Sequence, residues 1–222
     1  MPHFRTALLR DAGGWDPFNV TEDADLGVRL ARLCYRTGVI DSTTFEEAPA
    51  DLKAWTKQRT RWMKGWMQTL LVHARNPFRL IAELGASGMF GFIATAVANL
   101  ASAIIHPAAI GLIVWQASSG VFFSGDNVLA AVVAALASAN LVFGYAIAIA
   151  CAAFGLFRRP MPGLIAHLVL TPLYWLLSAI AFVLALIDLI RRPYFWAKTE
   201  HGIGKRNAPV QLRSKRPARM RR

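Results

Sequence analysis

The sequence predicts a mainly α-helical protein, in which a multi-span helical membrane block follows a small α/β head and precedes a basic tail. Two observations support this prediction. Hydrophobic residues make up 55% of the 222-residue chain, and residues 84–157 contain a single charged side chain, Asp126. Lys and Arg number 25 against 13 Asp and Glu, and most of this positive excess follows the apolar block. The composition excludes a disordered chain, a collagen-like repeat and a disulfide scaffold.

The head, residues 1–84, begins with a turn-rich loop over residues 13–20. Thr21 stands where a helix N-cap is expected, and acidic residues fill the first turn that follows. Apolar residues then recur at helical spacing, and Gly38 is a candidate C-terminal cap. Residues 39–47 are β-leaning, because they are rich in Val, Ile, Thr and Phe. We therefore expect a small α/β unit here.

A second helix is predicted from Asp51 to Arg75, and it has two contrasting faces. One face collects Trp55, Trp62, Met63, Trp66 and Leu70, and the opposite face collects Lys53, Lys57, Arg61, Lys64 and Gln68. This pattern is typical of a helix in the membrane interface, where indole rings favour the headgroup region and basic side chains favour anionic lipid. The alternative is an ordinary amphipathic helix packed on a soluble core.

Three apolar segments are long enough to cross a bilayer, which takes about 20 apolar residues. They cover residues 88–117, 128–157 and 164–190, so we assign 85–190 to transmembrane helices and 191–222 to a basic cytoplasmic tail. Basic residues follow the second segment, at Arg158 and Arg159, and the third segment, from Arg191 onward. The positive-inside rule places the head and both of these basic clusters on the cytoplasmic side, which three full crossings cannot satisfy. Either the third segment, interrupted by Pro172, lies partly in the interface, or the first turns back near His106-Pro107 and a fourth crossing follows.

Two short motifs carry the chemistry: T-E-D at residues 21–23 and Q-x-x-R-W at residues 58–62. Their order and spacing ahead of a membrane block resemble the second half of the processive, membrane-integrated glycosyltransferases of family two, which include bacterial cellulose synthase, hyaluronan synthase and exopolysaccharide synthases. The G-W-D at residues 14–16 and the W-A-K-T-E-H-G at residues 196–202 are similar to these enzymes as well. The resemblance identifies the head as a remnant of a GT-A-like domain.

An inverting glycosyltransferase must deprotonate an acceptor hydroxyl as that oxygen attacks the anomeric carbon, and a positioned carboxylate does this as general base. The resemblance makes Asp23 that base, at a helix N-terminus that favours negative charge. Thr21 and Glu22 complete the catalytic motif, with Glu22 as the weaker candidate for the base.

The leaving nucleotide diphosphate needs cationic groups, and Arg61 suits a bidentate phosphate contact. Gln58 offers an amide and Trp62 a flat face for an acceptor sugar, so the resemblance assigns these three residues to substrate binding. A lipid headgroup contact is the alternative role for Arg61. A cytoplasmic gating segment is a further candidate, with a solvated turn as its alternative; it comprises Lys198, Thr199, Glu200 and His201.

The chain departs from the family in one respect. The family carries an upstream nucleotide-binding half with a D-x-D site for a divalent cation, Mg or Mn, and no such site is present here; Asp23-Ala24-Asp25 fits the letters but belongs to T-E-D. Cys34 and Cys151 match no metal-ligand spacing. We therefore expect a truncated enzyme that would require the missing N-terminal catalytic half.

The resemblance implies a nucleotide sugar, a polysaccharide acceptor and membrane lipid as partners, with no nucleic acid. It also implies a multi-pass protein of the bacterial inner membrane, with its head on the cytoplasmic side. The alternative function is a non-catalytic membrane subunit or anchor of an envelope polysaccharide assembly.

Overall fold

The computed structural model describes residues 3–40, 48–49, 51–120, 128–158 and 162–195. Over these ranges the chain is mostly helical and contains no strand. The seven α-helices are α1 (Thr6–Asp11), α2 (Glu22–Arg32), α3 (Leu52–His73), α4 (Pro77–Phe92), α5 (Ala98–Ser118), α6 (Val128–Arg158) and α7 (Thr171–Arg191). A π-helical turn, Ile93–Val97, joins α4 to α5, and a 3₁₀ segment, Pro162–Leu170, precedes α7.

Helix α2 forms in the head where its periodicity predicts it, and Leu26 and Leu30 are buried. Thr21 occupies the N-cap position, but its side chain makes no capping hydrogen bond. The helix ends earlier than predicted. Cys34, with φ of 62°, takes the left-handed position expected for Gly38, and the Tyr35 amide donates to the Leu30 carbonyl at 3.0 Å in a Schellman motif.

The predicted β segment is not shown. Val39 and Ile40 are exposed and belong to no strand, and residues 41–47 lie outside the described part of the chain. The structure therefore supports a helical head and gives no evidence for the α/β remnant.

Helix α3 begins at the predicted position, because the Asp51 carboxylate accepts a hydrogen bond from the Ala54 amide at 2.7 Å. Its predicted basic face is not uniformly open to solvent or lipid. Lys64 is 1% exposed and Gln68 is 9% exposed, and both contact other elements. The reason is that α7 packs along this side of α3, with contacts from Trp55 against Tyr174 to Lys64 against Asp188.

The predicted apolar block is confirmed as three helical segments long and apolar enough to cross a membrane: Pro77–Ser119, Val128–Arg158 and Gly163–Arg191. Many of their large apolar side chains face outward, including Phe90, Leu129 and Ile190. Exposed apolar surface on this scale suits a lipid environment. The chain is thus suited to the membrane by the length and composition of these helices.

Two of the expectations about the membrane segments change. Helix α5 runs without interruption through His106 and Pro107, so the predicted reversal there is wrong. The kink in the first segment lies instead at Gly85, with φ of 62° and ψ of −176°. Pro172 does not interrupt a helix; it lies in the first turn of α7, where its missing amide proton leaves no hydrogen bond unmade.

The core that positions the site lies where α3, α5 and α7 meet. It consists of Met63, Met67, Leu100, Ala103 and Ala185. Ala181 and Ala185 on α7 are fully buried, and such small side chains allow neighbouring helix backbones to approach closely. In a membrane, the part of α3 that packs on α7 therefore lies at the same depth as the adjacent part of α7.

Candidate active site

The T-E-D segment packs directly on helix α3 at Gly65. A Cβ added at Gly65 would overlap Oγ1 and Cγ2 of Thr21, so this approach is open only to glycine. Thr21 and Gly65 are both buried. The entrance of α2 is therefore fixed against the helix that carries the Q-x-x-R-W motif.

Hydrogen bonds hold the residues before T-E-D in the same place. The Asn19 side-chain amide donates to Thr69 Oγ1 at 2.9 Å, and Asn19 Oδ1 accepts from the Thr21 amide at 2.9 Å. The Val20 amide donates to Gln68 Oε1 at 3.1 Å. All four side chains involved in this packing, including that of Thr21, are buried, which strengthens each bond.

The chain that follows α7 is bound at the same place. Gln68 Nε2 donates to the carbonyls of Phe18 and Pro193 at 3.1 and 2.9 Å, so a single side chain joins the loop before T-E-D to the end of α7. Lys64 Nζ lies 3.0 Å from Asp188 Oδ2 and donates to the carbonyls of Arg192 and Phe195 at 2.6 and 2.9 Å. These contacts satisfy all three donors of a fully buried ammonium group.

Thr21 contacts α3 on the face that carries Gln58 and Arg61 of Q-x-x-R-W. Gln58, Arg61 and Gly65 follow one another at helical spacings of three and four residues, which places them on one side of the helix. With a rise of about 1.5 Å per residue, Arg61 lies about 6 Å along the helix axis from Gly65, the residue that Thr21 contacts. The structure therefore brings T-E-D to the helix face on which Gln58 and Arg61 lie.

Asp23 and Glu22 differ in their surroundings. Asp23 is exposed, and its Oδ1 accepts a hydrogen bond from the Ala24 amide at 2.9 Å at the start of α2. Glu22 is partly buried and lines a cavity of about 280 Å³ together with Trp15, Asp16 and Tyr194. In such a cavity an aromatic face can pack against a sugar ring, and a carboxylate can accept hydrogen bonds from the sugar hydroxyl groups.

The residues of Q-x-x-R-W point to different neighbours. Arg61 lines a groove of about 720 Å³ between α3 and α7, and Gln58 is partly buried. Trp62 is 38% exposed, and the guanidinium carbon of Arg59 lies 4.6 Å from its ring centroid. Arg59 also lies over the rings of Tyr174 and Trp55, at 5.4 and 5.7 Å, so it orients the Trp62 side of the helix against α7.

Asp25 is a structural carboxylate, in contrast to Asp23. It is 2% exposed, with Oδ2 at 2.8 Å from Arg29 Nε and Oδ1 at 3.0 Å from His73 Nε2. Burial raises the pKa of Asp25, but the hydrogen bond from His73 and the charge of Arg29 outweigh it and hold the pKa below its usual 3.8. Both of its oxygens are therefore engaged in contacts within the protein.

The network around Asp25 extends from the head to the first membrane helix. Arg32 Nη1 lies 2.8 Å from His73 Nδ1, and Arg32 Nε lies 2.6 Å from Glu83 Oε2 on α4. Helices α2, α3 and α4 are therefore tied together beneath the T-E-D segment.

A divalent cation, which the family resemblance implies, finds no donor set in this part of the protein. Over the described ranges, no three His, Cys, Asp or Glu side chains are grouped so that they could hold a metal ion. Lys198, Thr199, Glu200 and His201 lie beyond residue 195, outside the described residues, and their predicted gating role stays a prediction.

Sequence reasoning missed the residues that assemble the site: Asn19, Lys64, Gly65 and Gln68. A glycine in the interior of a long helix indicates that another segment approaches the helix backbone closely, and Gly65 could have been recognised in this way. Lys64 and Gln68 gave no such signal, because polar residues on an amphipathic helix ordinarily face water or lipid headgroups.

Comparison with known proteins agrees with the motifs. The sequence profile described as glycosyl transferase family group 2 matches residues 3–191. The chain is 30% identical over 92 residues to the probable glycosyltransferase YdaM of Bacillus subtilis (strain 168); the match covers 41% of this chain and 22% of that protein. No solved structure matches the chain significantly. The chain belongs to glycosyl transferase family group 2, and glycosyl transfer is the chemistry of its family.

Proposed function

We propose that this chain forms the acceptor-side and membrane part of a processive glycosyltransferase, which moves a sugar from a nucleotide-diphosphate donor to a growing polysaccharide. The observation that carries the proposal is the seating of Thr21 on Gly65, because it fixes T-E-D against the helix of Q-x-x-R-W. Both motifs are then available to one substrate.

Asp23 acts as the general base. Its Oδ1 is held by the Ala24 amide, which leaves the second oxygen of an exposed carboxylate for the acceptor hydroxyl. In the reaction the acceptor oxygen forms a bond to the anomeric carbon, the bond between that carbon and the diphosphate breaks, and the hydroxyl proton passes to Asp23. The nucleoside diphosphate leaves with the bonding electrons.

Gln58, Arg61 and Trp62 bind the substrates. Arg61 supplies a fork of donors for the leaving diphosphate, and Gln58 lies on the same face of α3. Trp62 presents a ring whose position is set by Arg59, and this ring packs against the acceptor. The cavity beside Glu22 and Tyr194 holds the next sugar of that acceptor.

The donor nucleotide and its divalent cation are bound by residues other than those that the structure describes, which belong either to the same polypeptide or to a separate one. The described part offers no group of metal ligands, and the curated relative extends far beyond the matched region. We place the head on the cytoplasmic side of a bacterial inner membrane, where nucleotide sugars are made and where the positive-inside rule puts the basic residues after α7.

The test is sugar transfer by membranes in which this chain is expressed within its own genomic context. Labelled nucleotide sugars are offered one at a time, and polymer-bound label is measured. We expect one donor to be used. We expect Arg61→Gln to lower its use by about tenfold to a hundredfold, because a charged hydrogen bond to the leaving group is lost. Arg10→Gln, which removes an exposed arginine of α1, is the matched control.

Two results would overturn the proposal. One is the absence of chain-dependent transfer from every nucleotide sugar offered. The other is a transfer that needs the chain but is unchanged by Arg61→Gln and by loss of the Asp23 carboxylate. That second result would identify the chain as a non-catalytic membrane subunit or anchor.

A further inference from the structure

A groove of about 720 Å³ runs between α3 and α7. Its charge is strongly positive, since six of its lining side chains are basic and one, Asp188, is acidic. Three of the basic residues, Lys53, Lys57 and Arg61, follow one another at four-residue intervals along α3. This spacing aligns them in a row about 12 Å long.

The single carboxylate does not neutralise this groove. Asp188 is shared by Lys64 Nζ at 3.0 Å and Arg192 Nη2 at 2.7 Å. Lys53, Lys57 and Arg191 form no ion pair with any carboxylate of the described residues, and all three are exposed. A site with this excess of positive charge and room for a ligand attracts an anion.

One wall of the groove is apolar. Leu184 and Ile187 line it from α7, and they are 41% and 42% exposed. They belong to a helix apolar enough to cross a membrane, and Arg191 ends that helix. The groove therefore spans the boundary between the apolar and the charged part of α7. A free phosphate or nucleotide would use the cations but leave this apolar wall without a partner.

We propose that the groove binds the headgroup of an anionic phospholipid, with Lys57 and Arg191 on its phosphate and an acyl chain along Leu184 and Ile187. The site differs from general adsorption to a charged bilayer, because two helices enclose the ligand and each supplies a cation. It is also distinct from the proposed transfer reaction, which uses Arg61 at the T-E-D end of the row and does not require Lys57 or Arg191.

The test is lipid retention by the purified full chain in neutral detergent, measured by native mass spectrometry. Dioleoyl phosphatidylglycerol is compared with dioleoyl phosphatidylcholine, and pyrophosphate is added as a competitor. Each cation near a phosphate contributes about fivefold in affinity, so Lys57→Gln with Arg191→Gln should weaken phosphatidylglycerol binding by about 25-fold. Arg10→Gln with Arg36→Gln removes two exposed arginines outside the groove and should leave binding unchanged.

A conservative pair, Lys57→Arg with Arg191→Lys, keeps both charges and should keep the affinity, which separates loss of the site from loss of the fold. The proposal is overturned if the two lipids bind equally, or if the neutral groove variant binds phosphatidylglycerol as the wild type does. It is also overturned if pyrophosphate displaces the lipid from Arg61→Gln as readily as from the wild type, since Lys57 and Arg191 would then bind free diphosphate without Arg61.

Discussion

Thr21 rests on Gly65 so closely that any side chain at position 65 would overlap it. This contact joins the first residue of T-E-D to the helix of Q-x-x-R-W, two motifs separated by more than thirty residues in the chain. It also explains why a glycine is present within α3, where it lowers intrinsic helix stability.

The first prediction concerns this contact. Gly65→Ala should destabilise the protein by about 1–3 kcal/mol through overpacking. It should also lower sugar transfer by about 100-fold, because displacement of T-E-D by about 1 Å misplaces the base. Gly27→Ala is the control, since Gly27 is an exposed residue of α2 with open space around it, and it should be neutral or slightly stabilising. Equal activity of the two variants would show that the contact does not position T-E-D.

The second prediction concerns the buried ammonium group of Lys64. Lys64→Met removes the donor to Asp188 Oδ2 and to the carbonyls of Arg192 and Phe195, while Arg192 keeps its ion pair with Asp188 Oδ1, and we expect the free energy of unfolding to fall by about 3 kcal/mol. Denaturant unfolding in mixed micelles measures this. Arg36→Met, which removes an exposed charge, should change stability by less than about 0.5 kcal/mol. A Lys64 variant as stable as that control would mean that the end of α7 does not depend on this side chain.

The third prediction is a pH dependence set by Asp25. Its pKa is lower in the folded chain than the usual 3.8, so its contribution to stability is complete well above that value and is lost as the pH falls through the lower folded pKa. The free energy of unfolding should therefore decline on acidification below about pH 4. Asp25→Asn should be less stable at neutral pH and should show a smaller decline. Asp11→Asn, at an exposed carboxylate, should keep the wild-type slope, and an unchanged slope in Asp25→Asn would contradict the prediction.

The fourth prediction concerns the stacking of Arg59 on Trp62. A double-mutant cycle of Arg59→Leu and Trp62→Leu should give a coupling energy of about 1 kcal/mol, as expected for a partly shielded cation–π pair at 4.6 Å. The same cycle with Trp15→Leu in place of the Trp62 variant should give a coupling near zero, because Trp15 packs against Phe4 in the head. Equal coupling in both cycles would remove the role assigned to Arg59.

The strongest periodic signals in the sequence predicted the fold well. The uncharged block and the apolar segment that follows it predicted the three helical segments of spanning length, and Asp51 caps the start of α3. Local signals were less reliable where more than one residue could end a helix. Cys34 ends α2 in place of Gly38, since a left-handed residue can close a helix without being glycine.

The sequence indicated which motifs form the candidate site, but not how those motifs come together in the fold. T-E-D and Q-x-x-R-W were recognised as sequence motifs. The contact between the T-E-D segment and α3 depends on Gly65 and Gln68, whose partners lie far away in the chain. The burial of Lys64 could not be predicted from α3 alone, because the carboxylate and carbonyls that stabilise it come from the end of α7. Long-range polar contacts of this kind leave no periodicity in the sequence.

The most direct test of the central claim is the rate of sugar transfer after Asp23→Asn, measured in membranes that express the chain within its genomic context. An amide of the same shape keeps the hydrogen bond from Ala24 but cannot accept the acceptor proton, so we expect a loss of about 100-fold or more. Asp11→Asn, another exposed carboxylate, should transfer sugar at the wild-type rate. A wild-type rate in Asp23→Asn would contradict the assignment of the base and, with it, the account of T-E-D as the reaction centre.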